Sequence, residues 1–268
     1  MNSLELLGFA LAILIGILLS LLGGGGSILT VPVLVYLFGI PPALATAYSL
    51  LIVGTSSAVA SLGYLRQGLA SPRTALFFSF PSFVMVFLTR KYLLPRLPEH
   101  LLTVAGFTLT KDLLIMLVFA GLMVLASSAM LRGRRDEVAD IRSARARLNY
   151  PMIFLEGLLV GTLTGFVGVG GGFLIIPVLT AFVRLPMKLA VGTSLMIIAI
   201  NSLIGMLGDL GQHPTDWSFL GKFIALTLLG VLVGTALAKR VEGRYLKPAF
   251  GWFTLLMGTG ILVKELVV

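Results

Sequence analysis

Apolar residues fill long runs of this chain, and short stretches marked by polar residues, glycine or proline separate them. The runs show neither a one-sided helical stripe nor a strand-like alternation. They read as helices apolar on every side, the pattern of bilayer spans. Five segments are predicted in the first half, at 4–22, 27–39, 43–65, 74–95 and 112–131, and five in the second, at 150–167, 172–183, 188–208, 218–238 and 247–266. The second segment of each set is short, and a 13-residue helix reaches only about 20 Å at 1.5 Å per residue. A bilayer's hydrocarbon is about 30 Å thick. Both short segments follow glycine runs and stop before prolines, at Pro41-Pro42 and at Pro186.

The two sets are copies. Residues 23–67 align without a gap on 168–212, an offset of 145, with 18 identities over the 45 positions. GGGGSILTVPVL lies over GVGGGFLIIPVL, LLIVGTSS over LMIIAINS, and LGYLRQ over LGDLGQ. Such self-similarity marks internal duplication. In a chain this apolar, helix breakers at equivalent places in two halves point to a transporter binding site. Each half has an odd number of segments if the short ones cross, so the copies are expected to be inverted relative to each other.

Charge chooses between the topologies. With ten crossings and the central linker cytoplasmic, 14 of the 20 basic residues fall inside; if the short segments merely dip in and return, 9 do. The positive-inside tendency favours the ten-segment plan, with both termini outside. The expected architecture is therefore an all-α polytopic membrane protein of two inverted repeats, each of about five helical segments, with short broken helices after Gly-rich turns. Its parts are a first repeat at 1–131, a basic cytoplasmic linker at 132–149 and a second repeat at 150–268.

Composition removes other classes. Apolar residues make up 57% of the chain and charged ones 12%, too few polar groups for a soluble surface of this length. The absence of cysteine excludes disulfides and thiolate chemistry, and the two histidines, His100 and His213, fall in expected loops. No metal, cofactor or enzymatic centre is expected. Six arginines sit in the central linker, offset by Asp136, Glu137 and Asp140, so the net charge of +9 reports orientation and not nucleic-acid binding. The expected partners are a small anion and the lipid bilayer, with homo-oligomerisation left open. The segment at 4–22 lacks a basic n-region and reads as a retained helix.

Two constellations could carry chemistry. Glycine runs free backbone N–H groups, which hydrocarbon tolerates only against protein or a watery cavity. Helix starts at Gly25, Gly26 and Ser27 and at Gly170, Gly171 and Gly172 would each present a partial positive charge, Ser27 as N-cap. Together they would cradle an oxyanion without a side-chain cation. Close helix packing is the plainer use of such glycines. The second constellation lies in the third segments, where Ser49 aligns with Ser194 and Ser57 with Ser202, while Asn201 places an amide deep in a span. These donors could bind oxyanion oxygens, or the hydroxyls could simply bond their own helices. Glu156 is a candidate proton carrier; Asp209 and the Lys111-Asp112 pair are expected at the membrane interface.

G-x-G-G-G-[FS]-x-x-x-P-x-L at Gly168–Leu179, its variant at Gly23–Leu34, and A-V-G-T-S-L at Ala190–Leu195 resemble the TauE/SafE family of sulfite exporters, also called the sulfonate uptake permease family. The resemblance implies a secondary carrier in the plasma (inner) membrane of a bacterium or archaeon, for sulfite, sulfoacetate or other sulfonates. The first half departs from the motif, reading A-T-A-Y-S-L at Ala45–Leu50. The combined expectation is alternating access around a mid-membrane site for a small sulfur-containing oxyanion, with an anion channel as the alternative.

Overall fold

The computed structural model describes residues 3–104, 107–132, 150–167, 171–181, 183, 185–209, 215–238, 240–241 and 243–267. Ten helices run through the described residues: α1 (Ser3–Leu22), α2 (Gly25–Tyr36), α3 (Pro42–Arg66), α4 (Pro72–Arg96), α5 (Lys111–Arg132), α6 (Tyr150–Val167), α7 (Gly172–Ala181), α8 (Met187–Asp209), α9 (Trp217–Ala238) and α10 (Gly243–Val267). Six of them, α3, α4, α5, α8, α9 and α10, are long and apolar enough to cross a membrane. The linker expected at 132–149 lies outside the described residues except for Arg132, which ends α5.

The all-α expectation holds for the described residues, with one short hairpin added. Between α4 and α5 a hairpin pairs β1 (His100–Val104) with β2 (Phe107–Thr110), antiparallel, with Val104 opposite Phe107 and Thr103 opposite Thr108. Its β-branched and aromatic residues suit a short ladder better than a helix.

Helix ends in the two halves coincide at the offset of 145. Leu22 and Val167 close α1 and α6, Pro42 and Met187 open α3 and α8, and Pro72 and Trp217 open α4 and α9. Proline at the first helical position costs no hydrogen bond, which fixes the starts of α3 and α4. Contacts repeat at the same offset: Gly16 of α1 lies on the carbonyl of Thr227, and Gly161 of α6 on that of Ser82.

Each half reaches into the other. α1 lies along α9 and runs parallel to it, Gly230 facing Ile13 and Gly234 facing Ile17; α4 lies along α6, also parallel. Equivalent helices, by contrast, run antiparallel where they touch. Gly205 of α8 faces Leu50 of α3 while Gly192 faces Tyr64, and Gly258 of α10 faces Met123 of α5 while Gly251 faces Leu131. The α4–α6 seam is backbone on backbone, with Gly157, Gly161 and Gly165 against the carbonyls of Phe78, Ser82 and Val86. Small residues allow this approach in lipid, where association depends on close packing.

The polarity of the molecule is turned inside out. Leu76, Phe80, Leu125, Leu155, Leu159, Leu229 and Leu256 are exposed, whereas Ser49, Ser56, Ser57, Thr193, Ser194, Asn201 and Ser202 are fully buried. These buried groups lie on α3 and α8, the two central helices, which are the most enclosed of the candidate spans.

Candidate functional site

The glycine runs act as chain breaks. Gly23 and Gly24 adopt φ of 60° and 144°, and Gly171 adopts 70°, so the chain turns between α1 and α2 and again just before α7. Gly170, with Gly168 and Val169, lies outside the described residues. The breaks meet each other: a Cβ on Gly24 would stand 2.5 Å from the Cα of Gly172, and one on Gly172 would stand 2.7 Å from Cδ1 of Ile198, halfway along α8. The glycines also serve packing, Gly26 against the backbone of Leu19 and Gly171 against Thr164.

Ser27 is not the N-cap. α2 starts at Gly25, two residues earlier, because glycine can occupy the first turn without the side-chain cap that serine would supply. Ser27 instead sits inside the helix, and both its amide and its hydroxyl donate to the carbonyl of Gly24.

The equivalent serines differ in their bonding. Ser194 of α8 directs its hydroxyl at the carbonyl of Gly23, 2.6 Å away, and at that of Val191 at 2.8 Å, so it fastens the first break to the other half of the chain. Among the described residues the buried hydroxyl of Ser49 on α3 has no partner, nor have those of Ser56, Ser57 and Ser202. Asn201 donates from Nδ2 to the hydroxyl of Ser82 on α4 at 2.7 Å, while its Oδ1 is buried and unpartnered. Buried polar groups without partners cost about 1–3 kcal/mol each, so this many along two central helices signals a role beyond stability.

Arg90 was not singled out by the sequence. It lies in the π-helical turn Thr89–Leu93, where the N–H of Leu94 reaches five residues back to the carbonyl of Thr89. The side chain is 1% exposed. Its Nη1 donates to Oδ2 of Asp209 and to Oγ1 of Thr46, each at 3.1 Å, while Nε and Nη2 have no partner among the described residues. Thr46 can accept because its own proton goes to the carbonyl of Ala43 at 2.7 Å. The neighbour Thr89 packs on Gly165, three residues before the second glycine run. The guanidinium itself stands at the other end of α8, where a Cβ on Gly208 would lie 3.1 Å from that of Arg90, ten residues or about 15 Å along the helix from Ile198. Asp209 does end its helix as expected, but its carboxylate turns inward to Arg90. π-turns recur at functional positions, and a shift in helical phase is the only signal that could have pointed Arg90 inward.

A small pocket between α3, the end of α8 and the start of α9 has Asp209 in its wall beside Leu44, Tyr48, Leu51 and Met206. Glu156 lies on α6, next to Gly157, which packs on Phe78 and Pro81 of α4; both its carboxylate oxygens are buried without partners. The structure does not bring Glu156 to the breaks, since it stands 11 residues, about 16 Å along the helix, before the end of α6 at Val167. Among the described residues no cluster of acidic groups and histidines is suited to a metal.

The whole chain has recognisable relatives. The family model for the sulfite exporter TauE/SafE matches residues 8–261. The chain belongs to the TauE/SafE family. A "Probable membrane transporter protein" of Xylella fastidiosa strain 9a5c is 30% identical over 255 residues, covering 94% of this chain and 92% of the relative. The "Probable membrane transporter protein YunE" of Bacillus subtilis is 22% identical over 271 residues, covering 95% and 96%. No solved structure matches the chain. A TauE/SafE member with six helices able to cross a bilayer is a multi-pass protein of a membrane-transporter family.

Proposed function

We propose that this TauE/SafE protein is a secondary carrier for a small sulfur-containing oxyanion of the sulfite, sulfonate or sulfoacetate type, in the plasma (inner) membrane of a bacterium or archaeon. The observation that carries the reading is the meeting of the two breaks, Gly24 against Gly172, beside the middle of α8. Helix starts turned toward a common point favour negative charge. Ser49 on α3 keeps a buried hydroxyl without a partner among the described residues, Asn201 on α8 has a second Nδ2 hydrogen beside the one given to Ser82, and Ser194 joins the first break to α8. Hydroxyl and amide donors bind oxyanion oxygens without a buried lysine's desolvation cost.

The helix-end coincidences at 145 and the antiparallel meeting of α3 with α8 and of α5 with α10 support two inverted repeats. A two-fold axis in the membrane plane reverses an element relative to its copy, whereas an axis along the normal leaves the two parallel. Backbone contact between the breaks favours a carrier, which opens to one side at a time, over a channel held open. In this reading Gly25, Gly26, Gly170, Gly171 and Gly172 line the substrate's position and act as hinges, and Glu156 carries the coupled proton.

Flux of labelled sulfite in proteoliposomes tests the proposal. Gly171→Leu forces a bulky side chain onto Thr164 at φ 70° and is expected to lower flux at least tenfold. Ser49→Ala, which removes an unpartnered hydroxyl, is expected to keep the fold and lose flux. Wild-type flux in both would remove the breaks and Ser49 from the mechanism.

A further inference from the structure

We propose that Arg90 is the side-chain ligand for the transported anion, binding two of its oxygens through the Nε–Nη2 edge of the guanidinium. The inference rests on the oxyanion-carrier reading and names its principal cation. A guanidinium cannot shed its charge by losing a proton, so burial at 1% exposure demands a counter-charge and partners for five N–H groups. The structure supplies partners on one nitrogen only. Nη1 is held from two sides, by Asp209 and by Thr46, which orients the planar group. The opposite edge presents Nε–H and Nη2–H side by side, with no acceptor for either among the described residues. That pair of parallel donors matches two oxygens of a sulfite, sulfonate or carboxylate group, the fork geometry that a lysine ammonium lacks.

Placement agrees with chemistry. Arg90 sits in a π-turn against Gly208, ten residues or about 15 Å along α8 from Ile198 and the breaks, so it would hold the anion at the end of the central helices, where Thr46 precedes Ser49 by one helical turn. Asp209 and Thr46 are positioning residues: they fix the fork, and the Asp209 carboxylate offsets the charge while the anion is away.

Two variants separate this role from that of a structural ion pair, because they move anion binding in opposite directions. Full-length protein in detergent is titrated with sulfite, sulfate and sulfoacetate, and the unfolding midpoint is followed, since a ligand specific to the folded state raises it. At least one of these anions is expected to raise the wild-type midpoint. Arg90→Lys keeps the charge and loses the fork, and is expected to weaken apparent anion affinity at least tenfold. Asp209→Asn removes the internal counter-charge and is expected to tighten it severalfold, with a larger anion-dependent rise than wild type. Unchanged affinity in Arg90→Lys, or an Asp209→Asn response equal to wild type, overturns the assignment while leaving the carrier reading intact. If Arg90→Lys cannot be purified, Asp209→Asn alone decides. A wild-type protein that responds to none of the three anions overturns both this assignment and the proposed function.

Discussion

Equivalent places in the two halves carry opposite chemistry. At one end of the central helices, Arg90, Asp209 and Thr46 form a buried charged cluster with donors to spare. Subtracting or adding 145 maps these positions onto Thr235, Tyr64 and Val191. There the Tyr64 hydroxyl donates to the carbonyl of Ser20 at 2.7 Å, and Thr235 bonds back to Val231 of its own helix at 2.6 Å. That end is neutral and satisfied. Ser49 and Ser194 repeat the contrast, one hydroxyl without a partner and the other bonded across to Gly23. Duplication supplied the scaffold twice, and later substitution left reactive polarity on one side of it.

The contrast can be broken most forcefully at the ion pair. Arg90→Gln leaves the Asp209 carboxylate buried without its cation and is expected to cost about 3–5 kcal/mol. Thermal unfolding in detergent measures it, and a loss below about 1 kcal/mol would erase the difference between the two ends. Next comes Ser194→Ala, which abandons the Gly23 carbonyl in the interior and is expected to cost about 1–3 kcal/mol. Tyr64→Phe removes one neutral hydrogen bond, for about 1 kcal/mol, and is expected to leave anion affinity unchanged. Smallest is Ser49→Ala, expected to be neutral or slightly stabilising because its hydroxyl has no bond to lose. Equal stability costs in the Ser49 and Ser194 variants, read in one denaturation series, would show that the two positions are equivalent after all.

Much of the fold was legible because breakers punctuate it. Segments expected at 43–65 and 188–208 appear as Pro42–Arg66 and Met187–Asp209, their starts set by proline or by the residue after it. The breaks themselves announced their glycines and their repetition. What stayed hidden depended on neighbours distant in sequence. Arg90 stands beside Lys91 near the end of an apolar run, where cations usually anchor a span to the membrane edge. Only the π-turn and the carboxylate 119 positions further on (209 − 90) reveal that it faces inward. Ser27 fitted the capping pattern, but Gly25 and Gly26 could enter the helix ahead of it. The hairpin at His100–Thr110 lay in a stretch without helical character, where local alternation was the sole cue.

The glycine ladder on α6 has a mechanical consequence. Gly157, Gly161 and Gly165 meet α4 four residues apart, each against a carbonyl, with Pro81 beside the first and the Cβ of Thr89 beside the last. Where toothed surfaces must lift over one another to shift, a smooth rail resists displacement mainly across its length and little along it. Because α4 and α6 come from opposite halves, any travel of one half past the other is steered along this rail, and one methyl group set on it at Gly161 would work as a brake.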